Sequence, residues 1–505
     1  NVFDATLFSG GVLYPVAAAL GWRSVALADT AVREEHRVGN FLSGAALAAA
    51  SLAAPVLTAL LVWLVALAFP ATREAAASIR ELLTQPFFYY TCLLWPAFIW
   101  REGLLPGYGI SAPQQLRKQV GASLIAGLGF VAVALFMNQP SFRLALVIAL
   151  GAIVVLPVLH ALTRRLLAKT GAWGEDVVVL GAGRSGTHVV ESLTLNPLSG
   201  LRPVAVFDDD AEKIGGELSG VPVMGRLEQS VAFAASRGIN HAIIAIPTMQ
   251  PELVGHFMDT TGRSFRRVQF IPDLPGLPAE DVAASNLNGM LAIEFNNGLF
   301  SVSNQLAKRV VDLLGSIVAL ALLAVPLAVI YVLVRLDSPG KPMHNGDRIG
   351  KDGRTFTCLK FRTMIDRADE RLVELLAQDP ELRAEYEAFH KLENDPRITR
   401  VGRFLRKYSL DELPQLINVV RGEMSLVGAR PYLTREARDM GEFATVILQA
   451  KPGITGLWQV SGRNELSFKE RLELESHYVR NWTIWWDLII MAQTVDALLS
   501  RRGAK

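Results

Sequence analysis

A short segment combines carboxylates and cations in a way that suits catalysis. Asp411 and Glu412 are adjacent, and they follow Arg406 and Lys407 closely. Ser409 with Glu412 three residues later is the pattern of a capping box, which predicts the start of a helix and explains those two residues structurally. Asp411 is left unexplained. A carboxylate on the first turn of a helix, beside cations, is suited to act as a nucleophile or a Mg²⁺ ligand toward an anionic substrate.

Further cations lie on both sides of this carboxylate pair. Residues 351–353 read Lys-Asp-Gly and predict a turn, and the strand after it places Lys360 and Arg362 on the same face. Two cations on one face can hold a diphosphate, although a solvated strand face explains the spacing as well. Downstream, Gly/Pro-rich loops carry Arg430 and Lys451. Such loops can offer backbone amides and one cation to phosphate oxygens.

Composition indicates which kind of protein positions these residues. The chain has 505 residues, of which 51% are hydrophobic, and a mean hydropathy of +0.29. It is therefore too apolar for an ordinary soluble enzyme, and a membrane portion is expected. The 50 basic and 48 acidic residues nearly balance, which argues against nucleic acid as a partner. Two isolated cysteines support neither a disulfide framework nor a zinc site.

The N-terminal third predicts a membrane domain. Residues 1–42 are interrupted by charges and are interpreted as a cytoplasmic lead-in. Residues 43–165 are predicted to form four transmembrane helices, and basic residues after the second and fourth place those ends in the cytoplasm. An even number of spans returns the chain to the side where it began. The four apolar segments lie near 43–69, 84–100, 119–137 and 142–162.

Residues 172–300 predict a Rossmann-like cytoplasmic α/β domain, because short Val/Ile/Ala-rich strands alternate with helical stretches. A strand runs into Gly181, Gly183 and Gly186, which form a GxGxxG, and acidic residues 208–210 follow the next strand. This spacing fits a dinucleotide fingerprint, with the three glycines as candidate nucleotide-binding residues. A degenerate domain that binds no dinucleotide gives the same pattern. No Tyr-x-x-x-Lys pair of the epimerase and dehydratase type follows.

Residues 308–337 predict a re-entrant membrane helix at the start of a third domain, 303–505. The segment is long enough to span a bilayer, but both flanks are basic, and a span would carry the charged C-terminal part to the far side. Pro326 lies in the middle of the segment, where a proline removes a backbone hydrogen bond and bends a helix. A proline-kinked spanning helix is the alternative.

From Lys308 onward the chain resembles the bacterial sugar transferases, the monotopic polyprenol-phosphate phosphoglycosyl transferases. The large members of that family also have four preceding spans and an α/β domain, and the loop 451–464 is most similar to undecaprenyl-phosphate galactose phosphotransferases. The expected fold is therefore four transmembrane helices, a Rossmann-like domain and a catalytic domain with a re-entrant helix. The motifs that carry the resemblance are Lys308-Arg309-x-x-Asp312, residues 336–340, 360–364, 394–399 and 409–416, and the loop at Lys451.

The resemblance implies an activity and roles for individual residues. Asp411 would attack the β-phosphate of a UDP-sugar, releasing UMP, and undecaprenyl phosphate would then accept the sugar phosphate. Glu412 would complete the acidic dyad, and Asp411 would bind Mg²⁺, the expected cofactor. The implied phosphate contacts are Lys360, Arg362, Arg406 and Arg430, and the implied anchors of the re-entrant helix are Arg309 and Asp312, with Pro326 at its bend.

The same resemblance implies a setting and leaves alternatives open. The protein would lie in the bacterial inner membrane, in contact with lipid, as a multi-pass homodimer with its catalytic domain on the cytoplasmic face. It would initiate O-antigen, capsule or exopolysaccharide synthesis. Galactose is the expected sugar, with UDP-glucose as the alternative donor. Two functions of other classes stay open. One is an NAD-dependent nucleotide-sugar epimerase or dehydratase, because such membrane enzymes also join spans to a GxGxxG domain. The other is a non-catalytic scaffold or regulator of polysaccharide export.

Overall fold

The computed structural model describes residues 23–68, 72–136, 142–246, 265–272, 282–287, 290–295, 298–378, 382–383, 395–462 and 466–500. The chain divides into two compact units, residues 1–275 and 276–505. Most of the predicted lead-in, residues 1–22, lies outside the described residues, and the remainder continues into the first helix.

Six α-helices open the described part of the first unit. They are α1 (Arg23–Ala68), α2 (Arg73–Thr84), α3 (Pro86–Cys92), α4 (Leu94–Arg101), α5 (Ala112–Phe136) and α6 (Phe142–Lys169). In three places they are long and apolar enough to cross a membrane, at Leu42–Ala68, α5 and α6. The predicted second span, 84–100, instead consists of the short helices α3 and α4, which meet at Leu93. Pro96 explains the break, because it has no amide hydrogen to bond to the carbonyl of Cys92, and it lies in the first turn of α4, where that bond is not needed.

Small residues let the long helices pack closely. A Cβ atom on Gly127 of α5 would lie 2.9 Å from that of Ala149, and one on Gly151 of α6 would lie 2.3 Å from Thr58 Cγ2. Close backbone approach at small residues is how helices associate in lipid, where burial of apolar area provides no driving force. Large side chains point outward instead, and Leu128 is 70% exposed. The outer surface is therefore suited to a hydrocarbon environment.

A six-stranded sheet completes the first unit and confirms the predicted α/β region. Its strands are β1 (Glu175–Leu180), β2 (Leu201–Phe207), β3 (Glu217–Leu218), β4 (Val221–Gly225), β5 (His241–Ile244) and β6 (Arg267–Phe270). The order is β3-β4-β2-β1-β5-β6, and all pairs except β3 with β4 are parallel. Helices α7 (Arg184–Leu195) and α8 (Gln229–Arg237) connect strands. The antiparallel hairpin of β7 (Val282–Leu287) and β8 (Met290–Phe295) falls in the second unit.

After this hairpin the second unit continues with α9 (Val302–Asp337), a fourth long apolar helix among the described residues, which is continuous through Pro326. Strands β9 (Met343–Ile349) and β10 (Thr355–Phe361) form a hairpin, and Asp352 with a φ of 58° confirms the predicted turn between them. Strands β11 (Ser425–Val427) and β12 (Gly453–Thr455) are parallel. The helices that follow α9 are α10 (Ala368–Gln378), α11 (Arg400–Lys407), α12 (Gln415–Arg421), α13 (Ala444–Ile447), α14 (Leu457–Val460), α15 (Phe468–Arg480) and α16 (Ile484–Ser500).

Candidate active site

A cleft of about 1220 Å³ in the second unit gathers all six of the predicted catalytic and phosphate-binding residues. Eight basic side chains and five acidic ones line it, so its net charge favours an anionic ligand. The acidic residues include Asp411 and Glu412. The basic residues are Arg348, Lys360, Arg362, Arg367, Arg406, Lys407, Arg430 and Arg435.

The two carboxylates lie on a 3₁₀ turn, Leu410–Glu412, between α11 and α12. The predicted capping box is wrong. Ser409 has a φ of 55°, in the left-handed region, and within this described turn its hydroxyl forms no cap hydrogen bond. Glu412 instead accepts a hydrogen bond from Lys360 Nζ at 2.6 Å. The sharp turn at Ser409 therefore directs the dyad toward β10 rather than back along its own helix.

Asp411 lies in an electrostatic environment that opposes its ionisation. Burial raises the pKa of the Asp411 carboxyl, and the charge of Glu412 raises it further, whereas Lys360 and Arg406 lower it. A shifted pKa in a cleft lined by cations is typical of a functional carboxyl. The two basic neighbours favour the ionised form, which is the form that can act as a nucleophile or bind a cation.

The four predicted phosphate contacts occupy different positions. Lys360 is engaged with the dyad, and Arg406 donates from Nε to Thr363 Oγ1 at 2.8 Å. Arg430 lines the cleft and is one-third exposed. Arg362 is buried, and its Nη2 donates to the carbonyl and hydroxyl oxygens of Ser338, at 2.7 and 2.9 Å. Arg362 thus joins the end of α9 to the cleft wall, whereas Lys360 and Arg406 act on the acidic dyad directly.

Two further residues support the site and escaped the sequence analysis. Asn418 of α12 is fully buried; its Oδ1 accepts from Leu359 N at 3.0 Å, and its Nδ2 donates to Thr357 O at 2.8 Å. It therefore joins the helix after the dyad to the strand that carries Lys360. Glu475 of α15 is buried behind the Arg430 loop. Neither residue lies in a short motif, because each acts on backbone that is distant in sequence.

The site suits a Mg²⁺ ion that is shared with a substrate. The described residues contain no group of three or more His, Cys, Asp or Glu that could hold a metal by themselves. Magnesium commonly binds through one or two carboxylates together with substrate phosphates and water. Asp411 and Glu412 supply carboxylate oxygens at a cleft that selects anions, so the donor set fits the expected ion.

The predicted anchors of the membrane helix make long-range contacts. Arg309 donates to the carbonyl oxygens of Val419 and Val420, at 2.6 and 2.8 Å, at the end of α12. Asp312 is buried and accepts from Ser425 Oγ at 2.9 Å and from Leu426 N at 3.0 Å. Pro326 lies in the exposed apolar part of α9. The start of the helix is therefore tied to the elements on either side of Gly422.

The candidate nucleotide-binding glycines belong to the first unit, and local packing explains two of them. A Cβ atom on Gly186 would lie 1.9 Å from Gly181 O, and Gly181 itself has a φ of 106°. Gly183 is the N-cap of α7. The amide of Ala182 in this loop already donates to Asp208 Oδ2 at 2.5 Å. Tight packing thus accounts for Gly181 and Gly186, and nucleotide binding by the loop stays a prediction.

Comparisons with known proteins match both units. The family model described as bacterial sugar transferase matches residues 303–501, and the one described as CoA-binding domain matches residues 113–272. A UDP-galactose-lipid carrier transferase of Erwinia amylovora is 38% identical over 69% of this chain and 73% of its own length. An undecaprenyl-phosphate galactose phosphotransferase of Salmonella typhimurium is 38% identical over 70% of this chain and 74% of its own length. A UDP-glucose:undecaprenyl-phosphate glucose-1-phosphate transferase of Escherichia coli is 32% identical over 63% of this chain and 66% of its own length.

Proposed function

Because this chain belongs to the bacterial sugar transferase family, we propose that it transfers a sugar 1-phosphate from a UDP-sugar to undecaprenyl phosphate, with release of UMP. The observation that carries the proposal is the position of Asp411. This carboxylate lies in a cleft lined by eight basic side chains, next to a second carboxylate that is held by Lys360. Such a cleft suits a diphosphate ester better than a neutral sugar.

In the first step, a carboxylate oxygen of Asp411 attacks the β-phosphorus of the UDP-sugar. The bond from this phosphorus to the bridging oxygen breaks, and UMP leaves with that oxygen. The sugar phosphate remains on Asp411 as an acyl phosphate. Covalent catalysis of this kind divides one displacement into two steps, each with a good leaving group.

In the second step, a phosphate oxygen of undecaprenyl phosphate attacks the same phosphorus. The bond from phosphorus to Asp411 breaks, which frees the carboxylate and forms the lipid-linked diphosphate sugar. Lys360, Arg406 and Arg430, which line the cleft, would offset the charge of the phosphates in both steps. Asp411 and Glu412 would hold Mg²⁺, which when bound neutralises phosphate charge and stabilises the leaving UMP.

Galactose is the proposed sugar. Two relatives at 38% identity over about 70% of the chain carry galactose in their names, whereas two relatives named for glucose are 32% and 28% identical. Two relatives named as exopolysaccharide production proteins, at 45% and 43% identity over 199 residues, support a role in exopolysaccharide assembly. UDP-glucose is the donor to compare first.

We propose that α9 enters the cytoplasmic leaflet of the bacterial inner membrane and leaves on the same side. Both ends contact neighbouring elements: Arg309 binds the end of α12, and Val334 packs against Phe361 of β10. Leu359 of β10 is itself bonded to Asn418 of α12. The exposed middle of α9 borders a shallow apolar concavity of about 510 Å³. Six residues of this helix between positions 324 and 333 line it. A bend at Pro326 would create such a concave side.

The proposed activity is tested by UMP release from purified protein in detergent, with Mg²⁺ and undecaprenyl phosphate. UDP-galactose, UDP-glucose and their N-acetyl relatives are compared, with Asp411→Asn as the matched control. We expect release with UDP-galactose that the variant lacks. Equal rates from wild type and Asp411→Asn with every donor would contradict the proposal.

A further inference from the structure

The loop that carries Arg430 into the cleft lacks strand pairing at Arg430 itself. Gly428 N donates to Thr455 O at 2.9 Å, and Gly453 N donates to Ala429 O at 2.8 Å. The pairing of β11 and β12 thus continues as far as Ala429 and ends one residue before the cleft. The backbone amide of Arg430 needs a different partner, because a buried amide without one is costly.

That partner is Glu475, a carboxylate that is 1% exposed. Its Oε1 accepts from Arg430 N at 2.7 Å, and its Oε2 accepts from Tyr432 Oη at 2.6 Å. Both carboxylate oxygens therefore hold the same loop, at positions on either side of Pro431. A single buried side chain takes over where the strand pairing stops.

The helix that carries Glu475 also supports a second wall of the cleft. Arg471, one turn earlier on α15, places its guanidinium 4.4 Å from the ring centroid of Trp458, and Trp458 lines the cleft. Leu472 fixes this part of α15 in a core with Tyr432 and Ile447. The face of α15 behind the cleft thus contacts both the Arg430 loop and the Trp458 helix.

Burial of this carboxylate is unfavourable for the fold. Burial raises the pKa of Glu475 from an ordinary value of 4.5 to about 7, although Tyr432, Arg430 and Arg471 all favour the ionised form. An apolar residue of similar volume would avoid this cost. A buried charge that lowers stability but holds a loop of the cleft is typical of a residue that is retained for function.

We propose that Glu475 is a positioning residue that acts through Arg430, holding its backbone so that the guanidinium reaches the diphosphate of the donor. This inference rests on the proposed function, since it assigns Arg430 to the donor. Glu475 itself is buried and is not among the described residues that line the cleft, so it would act on the donor only through Arg430. Its removal should therefore weaken only what Arg430 contributes.

A double-mutant cycle tests this coupling, with kcat/KM for UDP-galactose as the quantity measured. Glu475→Leu leaves the Arg430 amide and the Tyr432 hydroxyl without acceptors and should lower kcat/KM about 10-fold in the wild-type background. Glu475→Gln restores one acceptor and should lower it about 3-fold, and this variant carries the test if Glu475→Leu does not fold. Glu473→Gln, an exposed acid on the same helix, should change nothing.

In the Arg430→Ala background, the same substitutions at Glu475 should lower kcat/KM less than about 2-fold, because residues that act as one unit are not additive. An equal fold loss in both backgrounds would overturn the proposal and leave Glu475 with a general structural role. Inactivity of the wild type with every UDP-sugar would instead contradict the proposed function. The two failures are therefore distinguishable.

Discussion

Removal of the Lys360 charge should move the acid limb of the pH–rate profile to higher pH. Burial and Glu412 raise the pKa of Asp411, whereas Lys360 and Arg406 lower it. The nucleophile is the ionised carboxylate, so activity is lost as the pH falls through the pKa of Asp411 in the folded protein. Lys360→Met deletes one of the two cations that favour the ionised form. The limb should therefore shift upward.

The size of the shift follows from the environment of Lys360. An opposite charge within a few ångströms typically changes a carboxyl pKa by 1–3 units. Lys360 is 26% exposed and its partner Glu412 is 30% exposed, so solvent screens part of the interaction. We therefore expect a shift at the low end of that range, of about 1 unit. Lys360→Arg retains the charge and should leave the limb nearly in place.

The assay is initial UMP release from UDP-galactose between about pH 5 and 9, fitted for the acid limb. Glu412→Gln provides the reciprocal test, because it deletes a charge that raises the pKa of Asp411 and should move the limb to lower pH. Titration of the substrate phosphates is common to all variants and cancels in the comparison. A limb that stays in place in both variants, or moves in the same direction in both, would refute this account of the dyad.

Three further predictions concern stability and cofactor. Burial raises the pKa of Glu475 from 4.5 to about 7, so its cost to the stability of the fold is absent below pH 4.5 and complete above about pH 7. The free energy of unfolding of Glu475→Gln should therefore rise by about 3 kcal/mol relative to wild type as the pH increases between those limits. Thermal unfolding with the same pH dependence in both proteins would contradict this. Asp312→Ala leaves Ser425 Oγ and Leu426 N without their acceptor and should destabilise the second unit by about 1–3 kcal/mol, measured by thermal unfolding against Asp312→Asn. Chelation of divalent cations should stop UMP release and added Mg²⁺ should restore it, whereas activity in excess chelator would exclude a required ion.

Elements with a strong local signal could be predicted from the sequence. The hairpin turn at Asp352, the α/β sheet and three of the four long apolar segments in the first unit appear where hydropathy and turn residues indicated them. The segment 84–100 differs because hydropathy does not register the helix break at Leu93, just before Pro96. These features depend on residues that are close in sequence, which is why composition and spacing reveal them.

Contacts between distant residues could not be predicted in this way. The pattern at Ser409 and Glu412 indicated a capping box, but Glu412 pairs with Lys360, 52 residues away in sequence. Spacing also placed Arg362 beside Lys360 on one face, whereas its guanidinium is bound by Ser338. Glu475 carries no motif at all. In each case a tertiary partner determines the role of the side chain, and local sequence does not encode that partner.

The central claim is that Asp411 forms a covalent bond to the sugar phosphate before the lipid acceptor reacts. A single-turnover experiment tests it: protein is mixed with Mg²⁺ and UDP-galactose labelled in the sugar, with no undecaprenyl phosphate present. With a covalent intermediate on Asp411, we expect a burst of about one UMP per active site, with the label retained on the protein and lost when acceptor is added. UMP release that begins only after acceptor is added, or a labelled adduct that persists in Asp411→Asn, would contradict it.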